Sequence, residues 1–197
     1  AINFGEMREA KMRGANLSGK EMAHADFEDA DLSGANLADV DANHATFDSA
    51  NLRGANLQGA NLTYANFNDA NLERANLQGA NLTRANFQDA AMAGVNAQGV
   101  LGERAHFEDA TLRGANFNGA QLSHAVFQNA ELRGANFSGA VADNTTFEEA
   151  NAVGAYFSGA VLSNTVFQGA NVQNGNFSGA ALENVTFEDA NLQGANL

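Results

Sequence analysis

Residues 55–62 read Ala55-Asn56-Leu57-Gln58-Gly59-Ala60-Asn61-Leu62: a small residue, an amide and a leucine, then two spacers, then the same trio again. The interval is five. Stepping by five from Leu57 reaches Ile2 in one direction and Leu197 in the other without a slip, and it gives forty centre positions. Thirty-five are Ile, Val, Leu, Met or Phe, the exceptions being Ala42, Ala97, Gly102, Ala142 and Ala152. Two residues before each centre stands a small residue, Ala at thirty of thirty-nine positions. A period of five matches neither the helical 3.6 nor the strand period of 2, so it requires a chain that turns a corner every five residues. The reading is a solenoid.

These runs resemble the pentapeptide-repeat family, whose consensus is A(D/N)LXX, and the resemblance covers the whole chain. It implies an all-β fold: a right-handed quadrilateral parallel β-helix of about ten coils. The small and centre residues point inward and the other three outward. Most members of that family have no established function, so the resemblance speaks to fold before function.

Four sides per coil are also legible in the residues. Phe recurs every twenty positions at Phe27, Phe47, Phe67, Phe87, Phe107, Phe127, Phe147, Phe167 and Phe187. A second inner column changes from Leu17, Leu37, Leu57 and Leu77 through Ala97 to Phe117, Phe137, Phe157 and Phe177. Where a centre shrinks, its inner neighbour sometimes grows: Val40 with Ala42, Val95 with Ala97 and Val100 with Gly102. Such pairing conserves volume in a close-packed interior. At strand spacing each coil rises ~4.8 Å, so about ten coils make a rod of roughly 48 Å.

The second residue after each centre is commonly Gly, Asp, Asn, Arg or His, and Gly, Asn, Asp and His best tolerate the positive φ of tight turns. Proline is absent, which suits a backbone paired throughout. One domain, 1–197, accounts for all residues, with no linker or break in composition. No apolar run approaches the ~20 residues that span a bilayer, so membrane insertion is not expected. Without cysteine there are no disulfides or thiolate metal sites. The compartment stays open between cytoplasm and export of a soluble protein. The net charge of −13 opposes direct binding to nucleic acid or anionic membranes.

Charge is sorted by side. After the Phe column come Glu28, Asp29, Asp48, Asp69, Asp89, Glu108, Asp109, Glu148, Glu149, Glu188 and Asp189, an acidic stripe along one corner. It serves as a solvated face or a partner surface. Arg13, Arg53, Arg113 and Arg133 lie on another side, and the side of the Leu17-to-Phe177 column is nearly uncharged. Resemblance adds a sharper alternative. Fluoroquinolone-resistance members of the family mimic a DNA duplex in the site of type II topoisomerases. This chain shares the acidic rod but lacks loops between pentads, and a C-terminal dimerisation segment is not expected.

No catalytic constellation stands out, and no enzyme or cofactor is expected. His24 and His44 fall twenty residues apart, with His124 in the same column, but two imidazoles do not close a metal site. The column Asn16, Asn36, Asn56, Asn76, Asn96, Asn116, Asn136, Tyr156, Asn176, Asn196 reads as a ladder of stacked amides. Lys20 occupies an inner small-residue position, which marks a frayed first coil. Leu101, Val126, Val141, Val161 and Val166 fall at outward positions, and Ile2, Met7 and Leu197 at uncapped ends. The expected function is a non-enzymatic structural or scaffolding rod that meets a protein partner or its own copies through its surface and ends. The topoisomerase-binding DNA mimic is the alternative.

Overall fold

The computed structural model describes residues 3–197. Parallel bridges join each residue before a centre to its equivalent twenty residues on, from Lys11↔Asp31 to Asn176↔Asn196. Four such ladders run along the rod: Lys11–Asp31–Asn51, Asn16–Asn36–Asn56, Glu21–Asp41–Asn61, Asp26–Thr46–Asn66 and onward. The chain is a β-helix in which each strand is reduced to one bridging residue and a turn follows at once.

The pentad 56–60 shows why five residues suffice. Asn56 N–H donates back to Ala35 O (2.9 Å), Leu57 N–H donates forward to Asn76 O (2.7 Å) and Gly59 N–H to Gln78 O (3.0 Å). Ala60 N–H closes the turn on Leu57 O (3.1 Å). The remaining donor, Gln58 N–H, goes to the Asn56 side-chain oxygen (3.1 Å). This pentad thereby satisfies all five of its N–H groups, four of them within the backbone, whereas pentads with an apolar bridging residue such as Leu101 or Val161 lack the side-chain acceptor for the fifth.

Two kinds of side chain fill the interior. The Phe column stacks nearly parallel, with centroids 4.8 Å apart at Phe47–Phe67 and 5.0 Å at Phe87–Phe107. Where the neighbouring column turns from Leu to Phe, its rings stack among themselves (Phe137–Phe157, 5.1 Å) and meet the first column edge to face, as at Phe127–Phe137 (5.4 Å, 90°). The perpendicular contacts across the core are favoured by the ring quadrupole, while the parallel stacks follow the spacing of the coils. The volume swaps hold: Val40, Val95 and Val100 are buried beside Ala42, Ala97 and Gly102. A Cβ on Gly102 would come within 2.9 Å of Leu122 Cδ2.

At the ends the structure departs from the expectations. Phe4–Glu6 form a 3₁₀ turn capped by Asn3, and the Phe4 ring lies 6.2 Å from Phe27, so the pentad pattern bends over the first coil there. Ile2 lies outside the described residues. The coil at Lys20 is not frayed: its N–H donates to Leu17 O (3.2 Å) and its carbonyl accepts from Asp41 (3.0 Å). Its side chain is exposed, so no buried ammonium arises. In the last coil Leu182, Val185, Phe187 and Leu192 are half-buried. Among the described residues the N–H groups of Leu182, Phe187, Leu192 and Leu197 find no backbone acceptor.

Candidate interaction surfaces

Every second residue after a centre, from Glu9 to Gly194, has positive φ, so its side chain stands at a corner. The acidic stripe is built on one such corner. Asp29, Asp69, Asp89, Asp109, Glu149, Glu188 and Asp189 are exposed, and Glu28, Asp48, Glu108 and Glu148 half-buried. Glu28 pairs with Arg8 (3.2 Å) and Glu108 with the His106 imidazole (3.1 Å). Carboxylates occupy every coil from Glu28 to Asp109, and the row breaks at Gln128-Asn129 and Gln168-Gly169.

A second corner carries His24, His44, Tyr64, Arg84, Arg104 and His124. The His24 and His44 rings stack 5.0 Å apart, His44 and Tyr64 4.8 Å apart, and the Arg84 guanidinium lies 5.9 Å from the Tyr64 centroid. Stacked imidazoles hold their in-plane lone pairs parallel rather than convergent, whereas a zinc ion needs both nitrogens within ~2.1 Å. Among the described residues no three His, Asp or Glu side chains gather around a common point. The twenty-residue spacing of the histidines was visible in the sequence; the part played by Tyr64, half exposed at 51%, was not drawn from it.

The third surface is the arginine side. Arg13, Arg53 and Arg74, with Ser33, Gly34 and Gly54, line an open depression of about 370 Å³. Arg113 and Arg133 continue the column farther along the rod. Arg74 escapes the sequence reading because it stands in the adjacent turn position, twenty-one residues after Arg53. Asp31 borders this depression. Its carboxyl is held below its ordinary value of 3.8, first by the Ser33 hydroxyl, then by the Ser33 N–H, with a smaller contribution from Arg13.

The asparagine column does more than stack. Amide-to-amide bonds run from Asn76 to Asn56 (3.4 Å) and Asn96 to Asn76 (3.3 Å), at the long end of the range. The shorter and more regular bond is the Asx turn, as in Asn116 Oδ1 accepting from Asn118 N–H (2.9 Å). Leu101, Val126, Val141, Val161 and Val166 occupy the same bridging position on other sides and supply no such acceptor. Leu101 and Val161 are exposed at 47% and 37%, while Val126, Val141 and Val166 are half-buried. Met7 is half-buried against the core and Leu197 exposed at 66%.

Buried polar side chains among the described residues are two threonines, Thr145 and Thr165, bonded to the carbonyls of Leu122 (2.8 Å) and Ala142 (2.6 Å). The chain is thus a β-helical repeat protein whose polar chemistry lies on its outside. A profile described as a pentapeptide repeat region matches residues 20–97 and 125–197, and one described as pentapeptide repeats (8 copies) matches 103–139. The chain belongs to the pentapeptide-repeat family. Among solved structures it is similar to HetL, a pentapeptide repeat protein involved in heterocyst differentiation regulation from the cyanobacterium Nostoc sp. strain PCC 7120. That match has 28% identity, covers 95% of this chain and 89% of that one, and has a TM-score of 0.42. It is also similar to a trypsin-treated variant of QnrB1, a plasmid-mediated fluoroquinolone resistance protein, at 23% identity over 92% and 88% of the two chains, with a TM-score of 0.44. No curated protein matches the chain. No helix among the described residues is long and apolar enough to cross a membrane.

Proposed function

We propose that this chain is a non-enzymatic rod, a right-handed quadrilateral β-helix, that mediates protein–protein contact or self-assembly through one face and its ends. The observation that carries the reading is the set Leu101, Val141 and Val161, which share one ladder with Gln121 between the first two. At these bridging positions an asparagine would cap the following turn, yet apolar side chains stand there, and Leu101 and Val161 remain exposed. A departure from a local rule without gain in the core marks a surface put to use. Across the Ser158-Gly159 turn from Val161 lies Tyr156, exposed at 51%. Exposed aromatic and aliphatic side chains on an uncharged corner of an acidic rod suit a protein partner.

The ends add directionality. The unpaired N–H groups of Leu192 and Leu197 at one edge, continuing the pattern by which Leu57 N–H meets Asn76 O, match the carbonyls of Lys11 and Asn16 at the other, which accept no backbone bond among the described residues. Head-to-tail stacking continues the parallel ladder and does not close on itself. Sedimentation velocity at low and high salt tests this. Association that grows with protein concentration and with salt is expected, because salt screens the net charge of −13. Leu197→Lys should weaken it more than Val161→Lys. A strictly monomeric species in both salts overturns the self-assembly reading.

The second reading, a DNA mimic that binds a type II topoisomerase, draws support from the carboxylates on every coil between Glu28 and Asp109. Charge density ranks it lower. Thirteen net charges over roughly 48 Å give one per ~3.7 Å, against one per ~1.7 Å in a duplex.

A further inference from the structure

Arg13, Arg53 and Arg74 stand on one side of the rod, the second two coils and the third three coils beyond the first. Between them the chain places Ser33, Gly34 and Gly54. A Cβ added to either glycine would meet nothing within 4 Å, so the floor is open to solvent. Long cationic side chains around a floor of small residues make the depression of about 370 Å³. This is the size range of small-ligand sites.

The charges facing it do not cancel. Lys11 lies on the same coil as Arg13, and the carboxylates at hand are Asp31 and Glu73. Asp31 is already engaged by the Ser33 hydroxyl (2.6 Å) and N–H (3.0 Å). Glu73 reaches Arg53 at 3.4 Å, a long contact between exposed groups. Arg13 and Arg74 make no ion pair among the described residues, whereas Arg8 and Arg53 each have one. Arg84, Arg104, Arg113 and Arg133 are likewise without an ion pair among the described residues, so what sets Arg13, Arg53 and Arg74 apart is the shared depression.

We propose that this depression binds a compact polyphosphate-class oxyanion, with Arg13, Arg53 and Arg74 as its ligands. Guanidinium forks grip phosphate oxygens through paired, charge-assisted hydrogen bonds. A rise of three coils, ~14 Å between the first and last arginine backbones, is better bridged by two linked charged centres than by one. The acidic stripe selects for compactness. It occupies the neighbouring corner, so a nucleic acid or an acidic protein broad enough to cover the arginines meets Asp29, Asp69 and Asp89 as well. A diphosphate does not. The site lies apart from the Leu101–Val161 face; Arg13 shares its coil with the Lys11 and Asn16 carbonyls of the stacking edge, but binding does not require association.

Isothermal titration of the intact chain with pyrophosphate at low salt tests the proposal, with ADP and sulfate as parallel arms. Saturable binding that weakens with added salt is expected. Arg13→Ala and Arg74→Ala should each lower affinity about ten-fold or more, as loss of a charge-assisted bond does. Glu73→Gln should tighten binding by freeing Arg53. Arg113→Ala and Arg133→Ala, in the same column but outside the lining and two and three coils beyond Arg74, should leave it unchanged, and circular dichroism of these exposed-site variants should match the parent. Binding of ADP with similar affinity assigns the diphosphate of a nucleotide as a source, and pyrophosphate alone assigns the free anion. The proposal fails if pyrophosphate gives no saturable heat at millimolar concentration. It fails equally if Arg113→Ala weakens binding as much as Arg74→Ala, or if sulfate binds as tightly as pyrophosphate.

Discussion

A single backbone choice recurs at every corner: the second residue after each centre takes φ near +60°, whether it is glycine or one of twenty-one others. The exceptions to glycine are mostly Asn, Asp and His, which tolerate that region, but Tyr64, Arg74, Arg84 and Arg104 adopt it too. For Tyr64 the stack on His44 offsets part of the strain. Gly139 isolates the backbone cost, because an added Cβ would meet nothing within 4 Å. Gly139→Ala should therefore destabilise by about 1–2 kcal/mol through conformation alone. Gly102→Ala should destabilise through contact with Leu122 instead. Urea titration of the two, beside a Gly139→Asn variant that tolerates the turn, separates the mechanisms: Asn should recover much of the loss at 139. The turn column was legible from its residue types. Its extension to tyrosine and arginine was not, since there the geometry is imposed by the coils above and below.

At the scale of the pentad and its column, packing and turn capping make opposite demands on neighbouring positions. Phe107 lies between Phe87 (5.0 Å) and Phe127 (4.8 Å) and meets Phe117 edge-on (5.6 Å). Phe107→Ala should cost about 3–5 kcal/mol through a cavity that rigid coils cannot close, while Gln128→Ala should cost little. Equal shifts in urea midpoint would contradict the inward and outward assignment. Val161→Asn tests the capping side of the ledger: it restores an Asx acceptor and should raise stability by about 0.5–1.5 kcal/mol. If association falls at the same time, Val161 is held at that position for contact and not for folding. The sequence showed that Asn recurs here and Val interrupts it. It did not show that the amide's main work is a hydrogen bond to the residue two positions on, because a twenty-residue repeat and a two-residue turn both place Asn at the same site.

Over the whole molecule the carboxylate row, the arginine depression and the apolar set are separate features of one rigid ladder. Because each coil touches only its neighbours, a change on one corner should leave the others intact. Neutralising Asp89, Glu108 and Asp109 to Asn, Gln and Asn should preserve or slightly raise stability, since like charges one coil apart repel. In a supercoiling assay the parent should not inhibit a type II topoisomerase. Dose-dependent inhibition that this triple variant abolishes would place the DNA-mimic reading first.

The five-residue period, the twenty-residue column and the apolar centres by themselves determined a coiled solenoid with a stated inner set, because burial repeats with the period of the backbone that produces it. The volume exchanges at Val40, Val95 and Val100 were readable for the same reason. Tertiary structure alone decided how the outward residues group. Arg74 joins Arg13 and Arg53 across different pentad positions, Tyr64 joins a histidine stack, Lys20 is left in solvent, and Phe4 folds over the first coil. Outward side chains are long and meet across coils, so their neighbours depend on coil rise and corner direction, which residue spacing alone does not specify.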